Sequence, residues 1–289
     1  MDSTSTIILA ISLIIIMLGM GLSLVMDDFK RILSYPKAMF VGLTNQIVLL
    51  PLIGFAIASL FPVRPEIAVG IMLLAACPGG PTSNLISHLA KADLALSVSL
   101  TAVSSVITIF TIPFIVNFAL SHFLSHKEMI KLDIPQTIIQ IFVIIVIPIA
   151  IGMLIRHLKP EFAIRMEKPV RQASTVVFIL VFVGIILKER AHLKEYLVDA
   201  GLVAILLNLL TMLVGFFSAR LFRIKAKRAL SISIESGIQN GTLAVSIAVV
   251  LLGNSEYAIA AAVYSIFMFI SGGIAIYFGL RIDKRLAAA

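Results

Sequence analysis

Cys77-Pro78-Gly79-Gly80-Pro81-Thr82-Ser83-Asn84 and Glu235-Ser236-Gly237-Ile238-Gln239-Asn240-Gly241-Thr242 decide how this chain folds. Each lies within a stretch otherwise apolar enough to cross a membrane, and neither suits a continuous helix. Proline removes a backbone donor and crowds the preceding turn, and glycine loses too much freedom when helical. The N–H and C=O groups so freed cannot face lipid; they line an enclosed cavity or bind something. Only Leu85–Ala90 follow Asn84 before Lys91, which is too little for an extramembrane loop. The first stretch therefore reads as two half-helices meeting at a break. In the second, Glu235 stands about 10 Å along a helix from Arg228, at 1.5 Å per residue. It is the one acid, of 15, clearly inside the membrane. A carboxylate there costs about 2.5–3.5 kcal/mol on insertion scales and is functional by default.

The rest of the chain supports that setting. Of 289 residues, 60% are hydrophobic and 13% charged, with a mean hydropathy of +1.09. Soluble domains are nearer 45–50% and about 25%. A water-soluble enzyme, a disordered chain and a disulfide-built protein are excluded. The single Cys77 permits no intramolecular disulfide and no Cys-based zinc site. The net charge of +8 reads as basic loops facing anionic headgroups, with membrane lipid rather than nucleic acid as partner. Met1–Ser5 carry no Lys or Arg, which argues against a cleavable signal, and Thr6–Met26 is long enough to span.

The apolar runs predict an all-α polytopic membrane protein, one transmembrane unit over 1–289. The expected spans lie near 6–26, 37–61, 66–90, 95–120, 134–155, 172–187, 198–220, 229–252 and 257–279. With the N-terminus outside, 17 of the 23 Lys and Arg fall in cytoplasmic loops. The outer loops hold only Arg64, Lys127, Lys131, Lys188, Arg190 and Lys194. That asymmetry predicts an N-out, C-in arrangement. Spans one to four match six to nine in order, with span five as connector. The offset is odd, so matched spans run in opposite directions and the two broken spans pair. This predicts an inverted-repeat secondary transporter, with its site where the broken helices cross.

The polar side chains within the spans are Asn45, Gln46, Thr82, Ser83, Asn84, Ser97, Ser99, Thr101, Ser104, Ser105, Glu235, Gln239, Asn240 and Thr242. Ser97 and Thr101, four apart, share one helix face. Hydroxyls, amide oxygens, freed carbonyls and one carboxylate make an all-oxygen site for a hard cation. Mg²⁺ dehydrates reluctantly and Ca²⁺ usually takes more carboxylates. One negative charge suits a monovalent ion, and sodium is the expected coupling ion. Asp93 reads as a charged helix start.

At these residues the chain resembles the bile acid:sodium symporter family. The resemblance is carried by Pro78-Gly79-Gly80 with Ser83-Asn84, by Ala95–Thr101, and by Glu235–Asn240 in order, with Met20-Gly21-Leu22 and Asp28-Phe29 before them. It implies the nine-span form of a fold with two domains. The panel would be the spans near 6–26, 134–155 and 172–187; the core would be those near 37–120 and 198–279. Carried over by motif, one sodium would sit among Ser83, Asn84, Ser97, Thr101 and Glu235. A second would sit among Gln46, Glu235 and Gln239, with backbone carbonyls near Ser236 and Ile238. Thr82 and Asn240 would face the substrate cavity. Two departures bear on the substrate: Pro81 stands where relatives often have a small polar residue, and Phe267-Met268-Phe269 is apolar where they often are polar. Pro81 and Phe269 are thus expected on the substrate side.

The expected function is sodium-coupled uptake of an organic anion across the plasma (inner) membrane. The anion would be bile-acid-like or a small carboxylate such as pantoate, and no obligate protein partner is evident. The alternative is metalloid or proton-coupled efflux, with Cys77 as the soft ligand, although a buried small hydrophobe is the simpler role for that thiol. An intramembrane enzyme would need a second acid, a nucleophile or a metal cluster beside Glu235.

Overall fold

A computed structural model describes residues 3–124, 133–188 and 193–287. Of the basic residues assigned to outer loops, Lys127, Lys131 and Arg190 lie outside the described residues, as do Met1 and Asp2. The described chain is helical, and its helices follow the apolar runs. Helix α1 is Ser3–Ser23, and α2, Met26–Ser34, is a short charged helix that follows it. Helix α3 is Pro36–Leu60. Two half-helices follow, α4 at Pro65–Ala76 and α5 at Pro81–Leu89. Then come α6 at Leu94–Phe123 and α7 at Ile134–Leu158, α8 at Pro160–Lys188 and α9 at Leu193–Leu221. A second pair of half-helices, α10 at Ala226–Gly237 and α11 at Gly241–Leu251, precedes α12 at Tyr257–Ala287.

Among the described residues, five helical stretches are long and apolar enough to cross a membrane: Pro36–Leu60, Leu94–Phe123, Ile134–Leu158, Val198–Leu221 and Tyr257–Arg285. The chain is a polytopic membrane protein. Its exposed apolar side chains fall in rows, such as Phe110, Phe114 and Phe118 on one face of α6. Such rows would be a liability in water and are ordinary against lipid. Two boundaries differ from the sequence reading. Helix α2 is an added surface element, opened by Asp28, whose carboxylate accepts from Val25 N–H at 2.8 Å. Helix α8 begins at Pro160, well before residue 172, because proline is pre-set for a first helical turn. Its charged opening is helical although it is not apolar.

The half-helices occupy the centre. Every residue of α4 from Ile67 to Ala76 is buried, and α4 packs against α3, α6 and α12. Helix α10, buried from Ala229 to Gly237, packs chiefly on α9 and also on α6 and α12. Helices α1, α7 and α8 pack mainly on one another. Close approach there depends on glycine: a Cβ at Gly21 would lie 2.2 Å from the Ile149 carbonyl oxygen, and one at Gly152 2.5 Å from that of Leu18. Small residues at crossings are how helices gain contact in lipid.

Polar links fix the helix ends. Asp93 accepts from Leu96 N–H at 3.1 Å, capping α6, and pairs with Arg228 at 2.9 Å. The Arg228 guanidinium also lies 4.0 Å over the Tyr35 ring. Arg64 reaches Asp199 at 3.1 Å, and Lys227 reaches Asp283 at 2.6 Å.

Candidate functional site

Both breaks form where the sequence forbids a helix, and they meet. Cys77 precedes a proline and is pushed to extended backbone (φ −74°, ψ 152°), ending α4. Gly80 is extended before Pro81, the first residue of α5. On the other side, Ile238 is extended after α10. Asn240 caps α11, its side chain accepting from Leu243 N–H at 3.1 Å. Between them, Gly79 pairs antiparallel with Gln239, and Asn240 N–H donates to the Pro78 carbonyl at 3.0 Å. Backbone polar groups freed by one break are thus partly satisfied by the other. The crossing is tight: a Cβ at Gly79 would lie 2.0 Å from Oε1 of Glu235.

Glu235 is the hub. It is 2% exposed and has no ion-pair partner among the described residues. Ser83 donates to its Oε2 at 2.8 Å, Ser97 reaches the same oxygen at 3.2 Å, and Thr101 reaches Oε1 at 2.5 Å. Ser97 and Thr101 also approach Oδ1 of Asn84, at 3.0 and 3.2 Å. Ser83 approaches the Gly80 carbonyl at 2.7 Å, and Thr101 the Ser97 carbonyl at 3.1 Å. These are seven close oxygen–oxygen contacts, yet each of the three hydroxyls has only one proton to give. Four contacts therefore lack a proton of their own. An oxygen cluster this poor in protons fits a cation, which attracts every oxygen at once.

A second cluster adjoins it. Gln46 is 2% exposed and Gln239 1%. Gln46 Nε2 donates to Gln239 Oε1 at 2.8 Å and to the Cys77 carbonyl at 2.9 Å. Gln239 Nε2 donates to the carbonyls of Glu235 at 3.3 Å and Ser236 at 2.9 Å. Meanwhile Gln46 Oε1 is buried without a partner, as is Oδ1 of Asn45. An unpaired buried acceptor is costly. Three carbonyls and two amide oxygens offer oxygen donors of the kind a hard cation takes. Gln46 reaches the cluster from a π turn, Asn45–Leu49, which shifts the register of α3 at this point.

A cavity of about 560 Å³ opens between α1 and the crossing. Its wall includes Thr82, Asn84, Gln239, Asn240 and Thr242 on the polar side, and Ile16, Met20, Met268 and Phe269 on the apolar side. Pro81 also lines it. The structure thus brings Ser83, Asn84, Ser97, Thr101 and Glu235 together, sets Gln46, Gln239 and the Ser236 carbonyl beside them, and places Pro81, Thr82, Asn240 and Phe269 on the cavity wall. Ile238 lies in the extended link between α10 and α11. Cys77 is fully buried, and no group of three or more His, Cys, Asp and Glu able to hold a metal exists among the described residues.

The Sodium Bile acid symporter family model matches residues 10–198. An uncharacterized sodium-dependent transporter of Bacillus subtilis is 31% identical over 280 residues, covering 95% of this chain and 84% of that one. The chain belongs to the sodium/bile acid symporter family. This is a family of sodium-dependent membrane transporters, not of enzymes. More distant relatives include a probable chloroplastic sodium/metabolite cotransporter of Arabidopsis thaliana, 29% identical over 91% of this chain and 64% of its own length. The ileal sodium/bile acid cotransporter of Oryctolagus cuniculus is 28% identical over 83% of this chain and 68% of its own.

Sequence reading missed two residues of the family member's crossing. Asn208 of α9 donates to the Gly237 carbonyl at 2.7 Å, and Tyr264 of α12 donates to the same oxygen at 2.8 Å. Asn208 carried a signal, being an amide inside an apolar run, where side chains of that kind bridge helices. Tyr264 follows a small apolar stretch and carried none.

Proposed function

We propose that this chain moves an organic anion inward together with sodium, by alternating access, with two sodium ions at the crossing. The observation that carries the reading is the proton-poor cluster around Glu235, held between two broken helices. One ion would use Ser83, Asn84, Ser97, Thr101 and Glu235. The other would use Gln46, Glu235 and Gln239, with the carbonyls of Ser236 and Ile238. In the second cluster the two glutamine amides turn nitrogen toward carbonyls; rotating them presents oxygen instead. A cation reverses which face is favoured.

The anion would occupy the cavity. No Lys or Arg is on its described wall, so its charge is met by sodium and by the positive end of α5, where Thr82 sits. Asn240 stands at the start of α11, and Pro81 and Phe269 shape the apolar part. Helices α1, α7 and α8 form the panel, against which the remaining helices move as the core. Their packing on one another supports that division, as does a cavity lying between α1 and the crossing. Nine spans, N-out and C-in, in the plasma (inner) membrane complete the reading. The relatives' names, sodium-dependent transporter and sodium/metabolite cotransporter, favour sodium coupling and a metabolite cargo. It is bile-acid-like or a small carboxylate such as pantoate.

The test is a thermal-shift screen of anions in detergent, in sodium chloride and in choline chloride. A ligand stabilises by RT ln(1 + [L]/Kd). Sodium alone should raise the melting temperature, and one class of anion should raise it further only when sodium is present. Equal anion shifts in both salts would overturn the coupling.

A further inference from the structure

We infer that Asn208 and Tyr264 are positioning residues that hold the second cation cluster in shape when no ion is bound, by clamping the Gly237 carbonyl from two helices. The inference rests on the cation reading above. A helix that ends inside the membrane leaves its last carbonyls without intrahelical partners. At the end of α10 these are treated in two ways. The Glu235 and Ser236 carbonyls are met by Gln239 Nε2, a side chain that itself belongs to the proposed ion cluster and must turn when an ion arrives. The Gly237 carbonyl is instead met by Asn208 Nδ2 at 2.7 Å and Tyr264 Oη at 2.8 Å. Those donors come from α9 and α12, outside either cluster, and are linked to each other at 3.3 Å.

The surroundings of this carbonyl are closely packed. Tyr264 is fully buried and Asn208 is 1% exposed. Gly237 has no space for a side chain, since a Cβ would lie 2.0 Å from Cγ of Met212 on α9. The clamp therefore sets the peptide immediately before Ile238 and Gln239, the segment that pairs with Gly79. One set of carbonyls is free to exchange donors for an ion, and the next is not. Holding the segment in place before binding reduces the ordering that binding must otherwise bring about.

The experiment compares the full chain with Tyr264→Phe, which removes one oxygen, and with Asn208→Ala, which leaves the tyrosine bond. Melting in detergent is titrated with sodium at constant ionic strength, and sodium half-saturation of substrate uptake is measured in vesicles. A lost buried hydrogen bond predicts a roughly two- to tenfold rise in sodium half-saturation for either variant. Maximal uptake at saturating sodium should be unchanged, and so should substrate half-saturation there. A lower melting temperature in the absence of sodium, with unchanged sodium half-saturation, would make the clamp merely structural and overturn the inference. A wild type whose melting ignores sodium would overturn the cation reading, and this inference with it.

Discussion

Replacing Glu235 by Gln keeps the size of the side chain, in a site where Gly79 leaves no spare room, and removes its charge. Two unit charges 4 Å apart attract by about 4 kcal/mol at an effective dielectric of 20. Part of that attraction is returned, because the variant no longer buries a carboxylate. A net loss of about 2.8 kcal/mol is two tenfold steps in affinity. With sodium at about 100 times Kd, binding at one of the two proposed sites stabilises the wild type by about 2.7 kcal/mol. After a hundredfold weakening the same sodium stands at Kd, and the stabilisation from that site falls to RT ln 2, about 0.4 kcal/mol. The assay is melting in detergent over a sodium chloride series balanced with choline chloride, beside uptake in vesicles. The wild-type melting temperature should climb with sodium while that of Glu235→Gln stays nearly flat, and sodium-driven uptake should disappear. An undiminished sodium-induced shift in the variant would refute the assignment and return Glu235 to a structural role.

Cys77→Ala should retain sodium-dependent uptake, because the contact Cys77 makes with Gln46 is through its carbonyl; complete loss at normal protein levels would favour a soft metalloid cargo. Pro81→Thr should reorder substrate preference, read as competition among anions, and leave sodium half-saturation in place, since Pro81 lines the cavity and makes no part of either oxygen cluster. Gly79→Ala should lower stability by about 1–3 kcal/mol through overpacking and also blunt the sodium response, because the added Cβ meets Glu235. A Gly79→Ala protein that melts like the wild type in both salts would show that the crossing is looser than described.

The two breaks were legible because proline, glycine and polar residues stand out against apolar runs. Pro78 and Pro81 each force the preceding residue to extended backbone, a local effect that needs no tertiary context. Glu235 was legible because a lone carboxylate in lipid has few structural reasons to be there. What the sequence left hidden depends on partners distant along the chain. That Gly79 faces Gln239, and that Asn208 and Tyr264 meet on Gly237, follows from how α9 and α12 pack around α10. The π turn at Asn45–Leu49 is similarly invisible, since a run apolar on all faces has no periodicity for one extra residue to shift. The start of α8 was missed for the opposite reason: a charged first turn outside the apolar run carries no hydropathy signal, although Pro160 marked it.

The shared residues explain how ions and substrate could be linked on the proposed reading. Asn84 presents Oδ1 to Ser97 and Thr101 in the Glu235 cluster and also forms part of the cavity wall. Gln239 accepts from Gln46 in the other cluster and lines the same cavity. On that reading each cluster would include one residue that also lines the cavity, Asn84 in one and Gln239 in the other. On that reading an ion that fixes these amides would fix the polar groups offered to the anion, which would meet a prepared wall only after sodium binds. By linkage the effect is reciprocal: an anion that prefers that wall must raise sodium affinity by the same factor. Coupling of this kind would need no long path through the protein, because Asn84 and Gln239 belong to the proposed clusters and also line the cavity.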